Sequence, residues 1–137
     1  MTDFRSDPSS EPSAAGGAVV NRNEVGALGE RLAVEHLQGL GLLILQRNWR
    51  CRYGELDIIA SEGDHTLVFV EVKTRSGDAF GGLEQAVTPQ KLRRVRRLAG
   101  IWLAGQQRRW PGLRIDVVGV RLGRRRDPEI THLRGVG

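Results

Sequence analysis

Two stretches decide the architecture: Gly54-Glu55-Leu56-Asp57-Ile58-Ile59-Ala60 and Thr66-Leu67-Val68-Phe69-Val70-Glu71-Val72-Lys73. Both are short and rich in β-branched or aromatic residues, and the turn-forming residues Ser61-Glu62-Gly63-Asp64 lie between them. This pattern predicts an antiparallel hairpin of strands over 53–60 and 66–73, with its turn within 61–64. The uninterrupted run Leu67-Val68-Phe69-Val70 predicts a central strand covered on both faces. Glu71 and Lys73 close that strand and, being two apart, share a face. Charges in such a place are costly unless they meet partners or a cation. Asp57 stands before Ile58-Ile59 in the same way, with Glu55 two residues earlier on its face.

Register then matters. Asp57 shares a face with Glu71 only if paired residues have numbers with an even sum. Pairing Glu55 with Glu71 meets this condition and needs a turn of odd length or a bulge. Asp57 then lies diagonally from Glu71, with Cα atoms about 7–8 Å apart. Two carboxylates at that range can share one hard divalent cation, Mg²⁺ or Mn²⁺. An odd-sum pairing without a bulge would separate them. The lysine adds to the case, because Lys73 and Lys91 are the only lysines among 21 basic residues. Lysine is a compact charge whose pKa can shift, whereas arginine stays protonated. A site that orients a nucleophilic water or places a point charge on a phosphate favours lysine.

Helices are expected on either side of these strands. Val25, Leu28, Leu32, Ala33, Leu37 and Leu40 recur at steps of three and four, which predicts a helix over 22–38. Asn21 and Glu24 have capping-box spacing, and Gly39 and Gly41 supply the stop. A first strand is expected over 42–49. A glycine-containing loop over 74–86 leads to Thr88-Pro89, an N-cap followed by proline at the first helical position. Leu92, Val95, Leu98, Ala99, Trp102 and Leu103 give that second helix its buried stripe. Further strands are expected over 114–120 and 130–133. The order implies an α/β fold, one mixed central sheet flanked by helices.

The 137 residues suit a single domain over 21–137. Residues 1–20 are rich in Ser, Pro, Gly and Ala and predict a disordered tail. Net charge is +5 with a pI near 10.6, which favours a polyanionic partner such as nucleic acid, although Arg-rich composition alone gives the same figure. The single cysteine, Cys51, forms no internal disulfide, and the cytoplasm is the expected compartment. No apolar run approaches the roughly 20 residues of a membrane span, and the N-terminus does not read as an export signal.

G-E-L-D-I-I-A followed by V-F-V-E-V-K-T-R resembles the bacterial UPF0102, or YraN-like, family. The resemblance runs from about Asn23 to about Val120. It includes the G-x-x-G-E of the first helix (Gly26, Gly29, Glu30) and the A-V-T-P-x-K-x-x-R stretch around Lys91. That family is similar to the PD-(D/E)xK nucleases and especially to Holliday-junction resolvases. The resemblance implies a restriction-endonuclease-like fold. It implies that Asp57 and Glu71 are metal ligands, that the Val72 carbonyl adds a third oxygen, and that Lys73 is catalytic. Glu30 resembles a supporting helical acid, the alternative being a solvent-facing charge on the helix, and Gln90 and Lys91 resemble the polar group of the following helix. Leu56 stands where the superfamily name has proline.

The expected function is a Mg²⁺- or Mn²⁺-dependent endonuclease acting on DNA, branched or otherwise structured. Lys91-Leu92-Arg93-Arg94-Val95-Arg96-Arg97 holds five basic residues in seven, and Lys91, Arg93, Arg94 and Arg97 are expected to hold phosphates. The alternatives are a solvated helix face, and an ion-pair cluster in place of the metal site. At the level of function they are a non-catalytic nucleic-acid-binding protein or an interaction subunit of a DNA-processing complex. A junction enzyme making two nicks would suit a homodimer, but the sequence shows no interface. Glu55 reads as a strand-end charge or a second acid at the metal, Arg124-Arg125-Arg126 as a solubilising loop or a second phosphate contact, and Trp49, Trp102 and Trp110 as packing residues. His36, His65, His132 and Cys51 are assigned no role.

Overall fold

The computed structural model describes residues 22–76, 83, 87–123 and 127–137. The expected tail, Asn21, most of the segment after Ser76 and Arg124-Arg125-Arg126 lie outside the described residues. The elements are α1 (Arg22–Gly39), β1 (Leu43–Cys51), β2 (Gly54–Glu62), β3 (Thr66–Ser76), α2 (Pro89–Ala104), β4 (Gly112–Leu122) and β5 (Glu129–Leu133). The five strands form one mixed sheet in the order β1-β2-β3-β4-β5. All neighbouring pairs are antiparallel except β3 and β4, which run parallel and are joined through α2.

β3 is central, and Leu67 to Val70 are buried, as their apolar run predicts. Side chains alternate between two cores. Val68 and Val70 join Ala33, Val34 and Leu37 of α1, with Ile58, Ala60, Val118 and Val120. Leu67 and Phe69 join Val95, Leu98, Ala99 and Trp102 of α2, with Leu56, Ile59 and Ile115. Trp102 packs edge-on to Phe69 with ring centroids 6.0 Å apart, and its Nε1–H donates to Gln46 Oε1 at 3.0 Å. A buried indole therefore keeps a polar partner. Trp49, Cys51 and Trp110 pack partly buried against the same core.

Two features of α2 follow from local chemistry. Thr88 has extended backbone, and its Oγ1 accepts from Lys91 N–H at 3.1 Å, with Pro89 opening the helix. The helix thus starts where the sequence places it.

Four expectations need correction. β3 continues past Lys73 to Ser76, because β4 pairs with it as far as Ser76↔Leu122. The β2–β3 turn is Gly63-Asp64-His65, since Glu62 pairs with Thr66 and Gly63 takes a positive φ of 64°. This three-residue loop gives the even-sum register, but as Ile58↔Val70 rather than Glu55↔Glu71. The buried face of α1 also differs. Leu40 is 51% exposed, and Gly29 and Val34 are buried instead. Gly29 lies against β3, and a Cβ placed there would come within 2.7 Å of Thr74 Cβ. Small residues, not leucines, thus set the closest approach of α1 to the sheet.

Gly26, three residues earlier, has no atom within 4 Å of an added Cβ. Gly29→Ala is therefore expected to destabilise the fold by about 1–3 kcal/mol through overpacking. Gly26→Ala should stabilise it by up to ~1 kcal/mol through helix propensity. Urea unfolding of the two variants beside the parent checks the contrast. Equal effects would remove the close-approach role of Gly29.

Candidate active site

β2 and β3 begin as a regular ladder at Glu62↔Thr66 and are paired as far as Ile58↔Val70. Beyond that pair β2 runs back to Gly54 and β3 runs on to Ser76, no longer paired with each other. Asp57 and Glu71 stand at the point of separation. The Val72 N–H donates to Asp57 Oδ2 at 2.8 Å, so a side chain takes over where the backbone ladder stops.

The parting has a local cause. Leu56 packs in the core on the α2 side and Ile58 in the core on the α1 side, although they are two residues apart. A regular strand would set both on one face. The alternation slips at Asp57. The β1–β2 pairs on either side, Arg47↔Ile58 and Trp49↔Leu56, leave Asn48 across from it. Asn48 has a positive φ of 54°, a conformation that asparagine tolerates better than most residues. Its Nδ2 donates to Glu30 Oε2 at 2.9 Å, and Arg47 Nε donates to the same oxygen at 3.1 Å. Glu30 is therefore held on the site side of α1, its side chain 13% exposed, rather than free in solvent.

A cleft of about 870 Å³ opens in the fork. Glu30, Asn48, Glu55, Asp57, Val72 and Lys73 all contribute to its lining. Glu71 and Lys73 also border a small pocket of about 20 Å³ on the α2 side, with Lys91, Leu92 and Val95. Lys73 thus touches both spaces. The expected shared face of Glu71 and Lys73 is present. Asp57 opens into the cleft on the α1 side of the fork, while Glu71 borders the α2-side pocket.

The electrostatics follow from this crowding. Asp57 is pushed up to about 6, mainly by burial. The Val72 N–H opposes the shift, and the charges of Glu71, Glu30 and Glu55 add to it. Lys91 is held below the ordinary lysine value, first by hydrogen bonding with Lys73 and then by its charge. Arg94 approaches Glu71 at 3.9 Å, and Arg50 approaches Glu55 at 3.7 Å. Gln90, Arg93, Arg94 and Arg97 are exposed on α2, and Arg97 lies 4.3 Å over the Tyr53 ring.

Oxygen donors from Asp57, Glu71 and the Val72 carbonyl suit a hard cation, and a cation beside Asp57 would relieve its burial and its repulsion from three acids. Among the described residues no three His, Cys, Asp or Glu side chains converge to hold a metal ion. A Mg²⁺ ion here would keep several waters, as that ion commonly does.

The sequence is similar to the Uncharacterised protein family UPF0102 over residues 29–120. The chain belongs to this family. A UPF0102 protein of Mycobacterium avium (strain 104) is 68% identical over 119 residues, covering 86% of this chain and 93% of that relative. One of Mycolicibacterium smegmatis is 71% identical over 119 residues, covering 86% of this chain and 96% of its own length. The UPF0102 match spans α1 from Gly29, the β2–β3 fork, α2 and most of β4. Among the described residues no helix is long and apolar enough to cross a membrane.

One constellation had no sequence signal. Asp116 on β4 is fully buried, and its carboxylate accepts from Arg114 Nε at 3.0 Å, Gly135 N–H at 2.9 Å and His132 Nε2 at 2.8 Å. His132 Nδ1 lies 3.1 Å from His36 Nε2, which ties β5 to the C-terminal end of α1. Arg114 also reaches Glu62 at 2.7 Å. Burial alone would raise Asp116, but Arg114, the Gly135 N–H and His132 outweigh it and hold its pKa below the usual carboxylate range. These residues lie at the far end of α1 from the cleft and bind the sheet together. His36 and His132 therefore have structural partners that spacing could not disclose.

Two stability predictions follow from opposite shifts. Asp116→Ala should cost about 3–5 kcal/mol, because it removes a fully buried carboxylate that half-buried Arg114, the His132 imidazole and the Gly135 N–H all share. The native contribution of Asp116 is present above its unfolded pKa and is lost as pH falls through its depressed folded value. Asp57 has the opposite sign: its raised folded pKa makes its charge a penalty that grows as pH climbs from about 4 through about 6. Without divalent cations, Asp57→Asn should stabilise the fold by about 1–2 kcal/mol at pH 8 and by much less near pH 4. Unfolding curves from about pH 2 to about pH 8 test both, and a pH-independent effect of Asp57→Asn would refute the raised pKa.

Proposed function

We propose that this chain is a divalent-metal-dependent endonuclease of the restriction-endonuclease-like fold that hydrolyses phosphodiester bonds in DNA. The observation that carries the reading is the fork itself, where Asp57 opens into the cleft, Glu71 borders the adjoining pocket and Lys73 touches both. A five-stranded mixed sheet with a helix on each face is compatible with that fold.

Asp57, Glu71 and the Val72 carbonyl would hold Mg²⁺ or Mn²⁺, which supplies polarisation of the phosphate and a more acidic water. Lys73, at the border of the cleft and the small pocket, places a positive charge beside the scissile phosphate and orients the attacking water. Its neighbour Lys91 keeps a second amine close by, and Lys73 favours loss of a proton from Lys91. Glu30, fixed by Arg47 and Asn48, steadies the acid side of the cleft. Gln90, Lys91, Arg93, Arg94 and Arg97 hold the DNA backbone through its phosphates, which position the strand but do not read its sequence. The substrate is branched or otherwise structured DNA, and a homodimer would supply the two sites that paired nicks need. A binding protein without cleavage, or an interaction subunit, would use the same basic helix.

Cleavage of labelled linear, single-stranded, flapped and four-way DNA with Mg²⁺ or Mn²⁺ tests the proposal. Wild type should nick in a metal-dependent way, and Glu71→Gln and Lys73→Ala should each lose on the order of 10²-fold or more in rate. DNA binding without cleavage of any substrate would refute the enzyme and favour the binding protein.

A further inference from the structure

The cations of α2 form an ordered row. Lys91, Arg94 and Arg97 are three residues apart, so each step advances about 4.5 Å along the helix. Lys91 neighbours Lys73, Arg94 approaches Glu71 at 3.9 Å, and Arg97 covers the Tyr53 ring at 4.3 Å from its centroid. The row therefore leads from the fork of β2 and β3 to the tip of the β1–β2 hairpin.

That tip is built to present an aromatic ring. Cys51 pairs with Gly54, leaving Arg52 and Tyr53 as a two-residue turn. Tyr53 is the only tyrosine of the chain and is 47% exposed. Gly54 has a φ of 144°, a conformation other residues rarely adopt. An added Cβ there would lie 3.3 Å from Leu98 Cδ1, so the turn sits directly on α2. Arg52 places a second guanidinium 5.2 Å from the ring centroid. The next residue along β2, Glu55, already lines the cleft that holds Asp57.

We propose that Tyr53 is a stacking platform for an unpaired base, so that the DNA taken by this site carries single-stranded nucleotides next to the bond that is cut. This rests on the nucleic-acid reading given above and narrows its substrate class. A cationic track ending at an exposed aromatic is the arrangement that holds single strands, with phosphates on the cations and a base on the ring. Base faces inside a duplex are covered by their neighbours, so only an unpaired base can lie on Tyr53. Guanidinium planes stack on bases as they do on aromatic rings, and Arg52 and Arg97 can continue that stack. The competing account is that the contact with Arg97 only fastens the hairpin to α2. In that case Tyr53 would affect stability and not the choice of substrate.

The test measures binding of the full chain, in EDTA to prevent cleavage, to a blunt duplex, an oligo-dT strand and a flapped duplex with 2-aminopurine as the first flap base. Wild type should bind the flapped duplex more tightly than the blunt one and quench the 2-aminopurine. Tyr53→Ala should weaken binding of the flap and of oligo-dT about tenfold, with blunt-duplex binding changed less than about twofold. Tyr53→Phe should keep wild-type discrimination. Tyr53→Leu fills the turn without a π face, so it should behave as Tyr53→Ala and serves if the alanine variant does not fold. Equal weakening on all three probes, or none, overturns this inference while leaving the nucleic-acid reading intact. Failure of wild type to bind any probe overturns that reading and this inference with it.

Discussion

The hydrogen bond from Val72 N–H to Asp57 Oδ2 is the constraint on which the candidate site depends. A backbone N–H in a central strand must find an acceptor, because leaving it bare in the interior is costly. β2 ceases to offer carbonyls to β3 beyond Ile58, and Asp57 supplies the acceptor from its side chain. The same bond that satisfies β3 therefore fixes a carboxylate at the mouth of the cleft. It also lets β2 swing away toward its hairpin tip, which opens the space between the strands. Structure and site share one atom pair, and neither is an addition to the other.

The two ends of α1 divide the electrostatic work. At its C-terminal end His36 meets His132, which is oriented by buried Asp116, and Arg114 completes the charge. Every charge there has a partner, which is why Asp116 titrates low. At its N-terminal half Glu30 faces Asp57 across the cleft, and burial is the main reason that Asp57 titrates high, with the charges of Glu71, Glu30 and Glu55 adding to it. A network with matched charges stabilises a sheet. One that buries a carboxylate beside other acids carries a penalty that a bound cation can relieve. Location within one small fold thus separates two clusters that look alike as lists of ionisable residues.

Much of this was legible because it is local. Strand β3 and its central position follow from Leu67 to Val70, and the start of α2 follows from Thr88-Pro89. Gly63 with its neighbours predicted a turn, but sequence placed it within 61–64, whereas the pairing Glu62↔Thr66 puts it over Gly63-Asp64-His65. The even-sum parity that a shared Asp57–Glu71 face requires holds in the ladder, but the slip at Asp57 puts the two carboxylates on opposite sides all the same, so the expected shared face is absent. Less legible was anything set by distant contact. The helical face of α1 looked leucine-rich, but contact with Thr74 selects Gly29, and Leu40 points outward. The Asp116–His132–His36 chain joins residues 96 apart, and no spacing rule connects them.

The irregular residues explain why regular pattern reading stops short of the site. Alternation along β2 would have put Leu56, Ile58 and Ala60 on one face. Asn48, with its left-handed backbone, and Asp57 mark the place where that alternation fails. A strand that kept its period would have continued the ladder with β3 and closed the fork, with Asp57 reduced to one more side chain on a paired strand. The departure from regularity is what turns an acidic residue in an apolar strand into a group with an open approach, one occupied oxygen and a second free to act. Sequence could name Asp57, Glu71 and Lys73, since unusual charges in apolar strands stand out. Only the slip in the strand says that Asp57 and Glu71 approach from opposite sides of a parting sheet, with Lys73 between.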